Sequence, residues 1–343
     1  MMESDSAFSN HHSRSSSVSV EKVFFIVPLL ISFLLFISCH SEQGISPEEA
    51  ARRDSAALHV ALMPVADCLP FYIAQHTGIY ERLGLDLRIL TLQAQLDTDT
   101  ALMRRRVEVA FSDLARAIMI QQDDTFDLRA IAATEGVLKL ITARRGRVRQ
   151  LSQLKERMVA VARHSITDYW SDQLTDTARL AQDDIFRPQI NDVRIRIDML
   201  CNGTMDAAFL PEPYALEARL RGNNLNFSTQ GLSPRLAAMV VPTWVLRDST
   251  RRHQVQLLLQ GYEEACSLTT DSLPDLLRRY CQTPDSLTDT IARALQHTFH
   301  PTVLPQKADA DAALQWLRTR GKARRNYTTD TLIFDLHGTE SIQ

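Results

Sequence analysis

The sequence predicts an α/β fold in two lobes with a cleft between them and a helical C-terminal portion. Three observations predict it. Short apolar or alternating runs, read as strands, take turns with stretches of helical periodicity over residues 57–145. After a charged break, Arg144 to Gln150, the same rhythm restarts and runs to residue 235. Beyond Val245, amphipathic helical patterns alone carry the chain to about Arg320. Strands and helices in alternation build mostly parallel sheets covered by helices.

In the first unit, Leu58 to Met63 is an apolar strand, and Pro70 to Arg82 has helical spacing through Phe71, Ile73, Ala74 and Ile79. Leu85 to Leu92 alternates as a strand, and a helix follows over about Asp97 to Arg105. Val107 to Phe111 is the next strand, and Ser112-Asp113 opens a helix that ends near Gln122. Leu128 to Ala133 and Leu138 to Ala143 complete this unit. In the second unit, Met158 to Ala162 is a strand, Ser165 opens a long helix to about Leu180, and Val193 to Ile197 reads as a strand. Met205 to Leu210 runs into Pro211-Glu212-Pro213, which opens a helix through Arg221. Leu236 to Val245 is strand-like, and helices are expected over 253–268, 272–281, 285–297 and 308–320. The expected division is 57–145 for the first part of lobe 1, 146–235 for lobe 2, 236–325 for the return to lobe 1 with the C-terminal helices, and 326–343 for a tail. The backbone crossings between lobes are expected near Arg144 and near Leu236.

Composition removes several functions. The 343 residues carry a net charge of −3 with both signs mixed throughout, so no basic face offers itself to nucleic acid. The 11 glycines include no Walker A or GxGxxG arrangement, so the chain is not a nucleotide-hydrolysing subunit. His297 and His300 stand three apart without a carboxylate cluster, and no metal or cofactor is expected. No serine stands in a GxSxG elbow, and Cys68 beside Asp67 has no identifiable histidine base. Cys68, Cys201, Cys266 and Cys281 fit neither a zinc ribbon nor a CxxC pair, and read as buried thiols or unassigned disulfides.

The first residues are read apart from the domain. Val23 to Ile37 is an unbroken apolar run preceded by Arg14 and Lys22. It is short for a membrane span, which takes about 20 residues. Its length suits the apolar core of a secretory signal. The stretch Phe36-Ile37-Ser38-Cys39 resembles a bacterial lipobox, with Phe36 in place of the usual leucine. That resemblance implies a signal peptide over 1–38, lipidation of Cys39, and a polar tether over 39–56 that leads to the domain.

Polar residues recur just after strands, where an open α/β sheet binds its ligands. They are Asp67, Ser112 with Asp113, Thr134 with Glu135, His164 with Ser165 and Asp168, and Glu212. Ser112, Asp113 and Ser165 are candidates for two roles that can coexist, helix N-cap and ligand contact. Asp97 and Asp99 read as caps. Phe71 and Tyr72 are candidate stacking surfaces for a ring. Acidic candidates outnumber the basic ones, Arg116 and Arg163. A neutral or cationic heterocycle or amine is therefore expected in preference to a simple oxyanion.

The run from Ala66 to Leu87, ADCLPFYIAQHTGIYERLGLDL, resembles the opening of the SsuA-like substrate-binding family. That family serves importers of nitrate, alkanesulfonates, taurine and hydroxymethylpyrimidine-type thiamine precursors. Further likeness lies in Val109 to Asp113, in Leu154-Lys155 through Asp168 (with Glu156 at a usual glycine), and in Gly203, Asp206, Ala207 and Glu212-Pro213-Tyr214. The resemblance covers about 57 to 245. It implies a bilobed periplasmic-binding-protein fold of type II that closes over a small molecule, with an ABC permease and ATPase as partners. It implies no catalysis, although some pyrimidine-precursor synthases with a cysteine cluster share the fold. A ligand-sensing lipoprotein without a transporter is the other reading.

Overall fold

The computed structural model describes residues 46–122 and 126–338. The segment expected as a signal peptide, 1–38, and the lipidation candidate Cys39 lie outside the described residues. Within the expected tether, Pro47–Ala56 forms helix α1, where Glu49 accepts hydrogen bonds from Arg52 and Arg53 at 3.0 Å each. Such pairs three or four residues apart support a surface helix by a few tenths of a kcal/mol.

The strands are β1 (Leu58–Leu62), β2 (Leu87–Thr91), β3 (Val109–Asp113), β4 (Leu128–Ala133), β5 (Leu138–Thr142), β6 (Arg157–Ala160), β7 (Ile185–Phe186), β8 (Ala207–Pro211), β9 (Asn224–Ser228) and β10 (Ala237–Pro242). The longer helices after α1 are α2 (Leu69–His76), α3 (Gln95–Met103), α4 (Leu114–Ile120), α5 (Ile166–Ala178), α6 (Val193–Cys201), α7 (Tyr214–Leu220), α8 (Ser249–Cys266), α9 (Asp285–Leu295) and α10 (Lys307–Thr319). One sheet has the order β2-β1-β3-β10-β4 and the other β7-β6-β8-β5-β9. Each is parallel except for one inserted strand, β10 in the first and β5 in the second, antiparallel to both neighbours. Those two strands are the ones entered directly from the other lobe.

The first crossing therefore differs from expectation. Strand β5, assigned by sequence to lobe 1, pairs with β8 and β9 in lobe 2. The chain crosses at Thr134–Val137, not near Arg144. The second crossing runs through 229–236, between β9 and β10. Residues 326–338 are not a free tail. Ala130 N donates to Leu332 O at 2.7 Å and accepts Phe334 N at its own carbonyl at 3.0 Å. Leu332, Phe334 and Leu336 are buried, so this segment covers the otherwise open edge of β4.

Two further local readings change. Val193–Ile197 lies in helix α6, not a strand. Asp192 caps it by accepting from Ile195 N at 3.0 Å, and Val193, Ile197 and Leu200 share the buried face. Asp97 and Asp99 are not caps. α3 starts at Gln95 behind Ala94, and Asp99 is buried, accepting from Ser112 Oγ at 2.7 Å and Arg116 Nε at 2.6 Å. The four cysteines of the described residues are free thiols.

Candidate functional site

The ends of β3 and β8 and the segments that follow β1, β2, β6 and β7 meet between the lobes, beside the first crossing. There they enclose a cavity of about 60 Å³. Lobe 1 contributes Val65, Asp67, Gln95 and Ser112, and lobe 2 contributes Ser165, Ile166, Asn191 and Arg196. Gly136 closes one side of it. Its backbone is left-handed (φ +58°), and a Cβ there would lie 2.7 Å from the Ala237 Cβ at the start of β10. Only glycine lets the first crossing pass this close to that strand.

Asp113 is the hub of the polar contacts. It ends β3 and caps α4, its Oδ1 accepting from Arg116 N at 2.8 Å. Its Oδ2 accepts from Gln95 Nε2 at 2.8 Å and, across the cleft, from Ile166 N at 2.9 Å. Burial raises its carboxyl to about 6, partly opposed by the N–H groups of Arg116 and Ile166, while nearby Asp99 pushes the same way as burial. Asp67 makes a second tie. Its Oδ1 accepts from Gly136 N at 2.8 Å, and burial raises its carboxyl against that hydrogen bond. Two backbone bonds also span the lobes, Ala66 N to Glu212 O at 2.7 Å and Val193 N to Gln93 O at 3.2 Å. The structure is that of a closed cleft.

Ser165 caps α5, accepting from Thr167 N at 3.2 Å. The first-turn amides of that helix are thus engaged, Ile166 by Asp113, Thr167 by Ser165 Oγ and Asp168 by the Ser165 carbonyl. Arg196 is buried (4% exposed), yet no carboxylate lies within ion-pair distance among the described residues. Its guanidinium donates instead to the carbonyls of Ile190 (3.0 Å from Nε), Asn191 (3.3 Å) and Phe209 (3.1 Å). Burial lowers it to about 10, with Asp192 opposing.

The candidates fall into three groups. Asp67, Ser112 and Ser165 line the closed cavity, and Asp113 is bonded to two of its wall residues. Glu135 and Glu212 line a wider hollow of about 440 Å³ that shares Asp67 and Val137 with the first. There Glu212 accepts from Lys139 Nζ at 2.5 Å and from Leu216 N at 2.8 Å, and Glu135 pairs with Arg235 at 3.2 Å. Phe71, Tyr72 and Asp168 stand elsewhere. Phe71 is wholly buried against Tyr262 (ring centroids 4.5 Å), and Tyr72 stacks on Tyr280 (4.0 Å) with its hydroxyl on Thr91. Their helix is buried from Leu69 through Ala74, on every side, so the rings belong to the core. Asp168 accepts from His164 N at 2.8 Å and faces Arg320 at 3.3 Å, away from the cavity.

Sequence reasoning missed Gln95, Lys139, Asn191 and Arg196. For Arg196 a signal existed. Once Asp192 is taken as a cap, Val193, Arg196, Ile197 and Leu200 fall on one helical face, and an arginine on an apolar face is a buried cation. Lys139 stands alone between Leu138 and Leu140, which reads as an exposed strand position.

This architecture, two mixed α/β sheets joined by two crossings around a polar cleft, defines the class: a type II periplasmic-binding-protein fold. Residues 65–232 match the family described as NMT1/THI5 like, in keeping with the SsuA-like resemblance read from the sequence. The alkanesulfonate-binding protein SsuA of Xanthomonas axonopodis pv. citri, solved bound to MOPS, superposes with a TM-score of 0.68 at 14% identity, over 82% of this chain and 98% of that one. The periplasmic nitrate-binding protein NrtA of Synechocystis PCC 6803 gives 0.65 at 15%, over 80% and 84%. The ligand-binding component of an ABC-type import system from Staphylococcus aureus, with zinc bound, gives 0.67 at 11%, over 83% and 99%. At these identities the likeness is one of fold. A search of curated proteins finds no match.

Proposed function

We propose that this chain is the extracytoplasmic substrate-binding lipoprotein of an ABC importer, and that it holds a small polar molecule by closing two lobes over it. The observation that carries the reading is the closed cleft. Its walls come from both lobes, and its polar groups bond across the gap at 2.7–3.2 Å. A ligand that exchanges those contacts for its own shifts the balance between open and closed lobes, and no bond need be made or broken. Among the described residues no helix is long and apolar enough to cross a membrane. Attachment to the membrane is assigned to a lipid on Cys39.

Asp67 in the cavity wall and Asp113, bonded to the wall residues Gln95 and Ile166, favour a neutral or cationic heterocycle or amine over a simple oxyanion. Asp113 is buried and Asp67 half-buried beside the cavity, and Arg196, the one buried cation among the described residues, already turns most of its donors to backbone carbonyls. The stacking role expected of Phe71 and Tyr72 is withdrawn, since both rings are core. A synthase reading gains nothing from Cys68. Burial pushes its thiol well up, which makes it a poor nucleophile.

Native mass spectrometry of the purified protein, followed by calorimetric titration, is the test. A bound amine or nitrogen heterocycle is the expected result. Micromolar binding of an alkanesulfonate or nitrate that Arg116→Ala or Arg163→Ala abolishes would overturn the ligand class. For the anchor, Cys39→Ala should leave the membrane fraction after cell lysis. Its continued partition into detergent after signal cleavage would remove lipidation from the account.

A further inference from the structure

The charged run Arg144 to Gln150 is not a crossing between the lobes, and it lines neither the cavity nor the wider hollow. It follows β5 at the end of lobe 2 farthest from the cleft. Strand β5 leaves the cleft at Leu138, and β8, antiparallel to it, returns there at Pro211, so Thr142 and Ala207 mark the far pole. Arg144, Arg145, Arg147 and Arg149 are exposed at that pole, four cations within six residues. Buried Ala143 and Val148 pin their loop. Ala143 N donates to Asp206 O at 2.8 Å, and Val148 O accepts from Asn226 Nδ2 at 3.2 Å. The Arg144 and Arg145 side chains lie over Gly222 and Gly203, where an added Cβ would meet the arginine Cδ at 3.5 and 3.7 Å. Among the described residues, none of the four guanidinium groups meets a carboxylate within ion-pair distance. The acid beside the loop, Asp206, already accepts from Arg157 Nη1 at 3.1 Å and from Met158 N at 2.9 Å.

Large apolar side chains border this loop at two places. Met158, bonded to Asp206, is exposed, and its register partner Phe186 is the most exposed large apolar residue among those described, at 57%. Leu220 and Leu225, also exposed, bracket Gly222 and Asn223, whose side-chain oxygen accepts from Arg144 N at 3.1 Å. We infer that this pole of lobe 2 docks on an anionic membrane, its arginines meeting lipid phosphates and its apolar neighbours entering the interface. The inference rests on the lipid-anchored reading above. An acyl group on Cys39 holds the domain beside a bilayer, so a bilayer is the surface the pole meets. Charge alone would suit any polyanion. Phe186, Met158, Leu220 and Leu225 favour the membrane, because a bilayer interface takes up cationic and apolar side chains together. Each arginine near an anionic surface strengthens the attraction roughly fivefold. Docking at the far pole leaves the cleft, at the other end of β5 and β8, uncovered.

The test places the full lipid-anchored chain in vesicles of phosphatidylcholine alone and of phosphatidylcholine with about a third phosphatidylglycerol. Hydrogen exchange of the loop from Ala143 to Arg149 is then compared by mass spectrometry. Exchange should slow at least about fivefold on the anionic vesicles, the effect of a single arginine, while segments that line the cleft stay unchanged. Combined Arg144→Gln, Arg145→Gln, Arg147→Gln and Arg149→Gln should abolish the slowing. Phe186→Ser with Leu220→Ser should reduce it at least about twofold. Salt at about 0.5 M should abolish it in wild type, which keeps the test should the quadruple variant not fold. Equal exchange on the two kinds of vesicle overturns the inference. Heparin in solution that slows the loop as much as anionic vesicles do, with no effect of the two serine substitutions, also overturns it and points to an acidic macromolecule. A chain that does not stay on neutral vesicles sinks the lipid anchor alone. Anionic vesicles added to that chain would then support the pole by slowing its loop, and overturn it by leaving exchange unchanged.

Discussion

Asp172→Ala is expected to lower the free energy of unfolding by about 3 kcal/mol, at the lower end of the cost of breaking a buried ion pair from one side. Asp172 sits on α5 in lobe 2. Its Oδ2 accepts from Trp316 Nε1 at 2.8 Å and Arg320 Nε at 2.8 Å, both at the end of α10, which packs on α4 in lobe 1. Arg187 lies 3.5 Å from the other oxygen, and Tyr169 meets the Trp316 ring edge-on at 5.6 Å. Removing the carboxylate strands an indole N–H and leaves two guanidinium groups with one acid fewer. The low end applies because Arg320 keeps Asp168 at 3.3 Å and is partly open to water. Asp172→Asn, which retains an acceptor for Trp316, should lose less. Urea denaturation measures both, and a loss below about 1 kcal/mol for the alanine variant would show that this tie between lobes is inert.

Asp113→Asn is expected to remove a pH dependence of comparable size. The folded Asp113 carboxyl titrates at about 6 against an ordinary 3.8, so between those values the folded chain keeps a proton that the unfolded chain has released. Stability contributed by that proton is fully present below the lower value and is lost as pH rises through the upper one. The separation corresponds to about 3 kcal/mol. The groups facing Asp113 are Asp99, which adds to the shift, and the donors on Arg116, Ile166 and Gln95, which oppose it. Asp67 and Asp99 are raised too, but both persist in the variant and cancel in the comparison. Unfolding free energies from pH 4 to 7.5 should therefore show wild type losing ground to Asp113→Asn across this window. Parallel curves would mean that the unfolded and folded carboxyls titrate alike.

Much of this arrangement was legible in local pattern. Strands β1, β3 and β4 were readable as short apolar runs, and acids that follow strands led to Asp67 and Asp113. The first crossing was not legible. Only Thr134–Val137 separate β4 from β5, and so short a link reads as two strands of one sheet. What sends β5 to lobe 2 is pairing with β8 and β9, contacts distant in sequence that no local pattern records. Helix α6 was missed because the apolar–polar alternation of Val193 to Ile197 mimics a strand, and the deciding cap, Asp192, lies outside the run. In the site, the side chains were visible but their partners were not. Ile166 N, Gly136 N and Ala66 N do much of the bonding, and a backbone amide carries no sequence signature.

The central claim is that ligand binding and lobe closure are one event. Small-angle X-ray scattering of the purified protein, with and without the ligand identified by native mass spectrometry, tests it most directly. A smaller radius of gyration in the saturated sample, returning to the free value on dialysis, is the predicted result. An unchanged radius at verified saturation would contradict it.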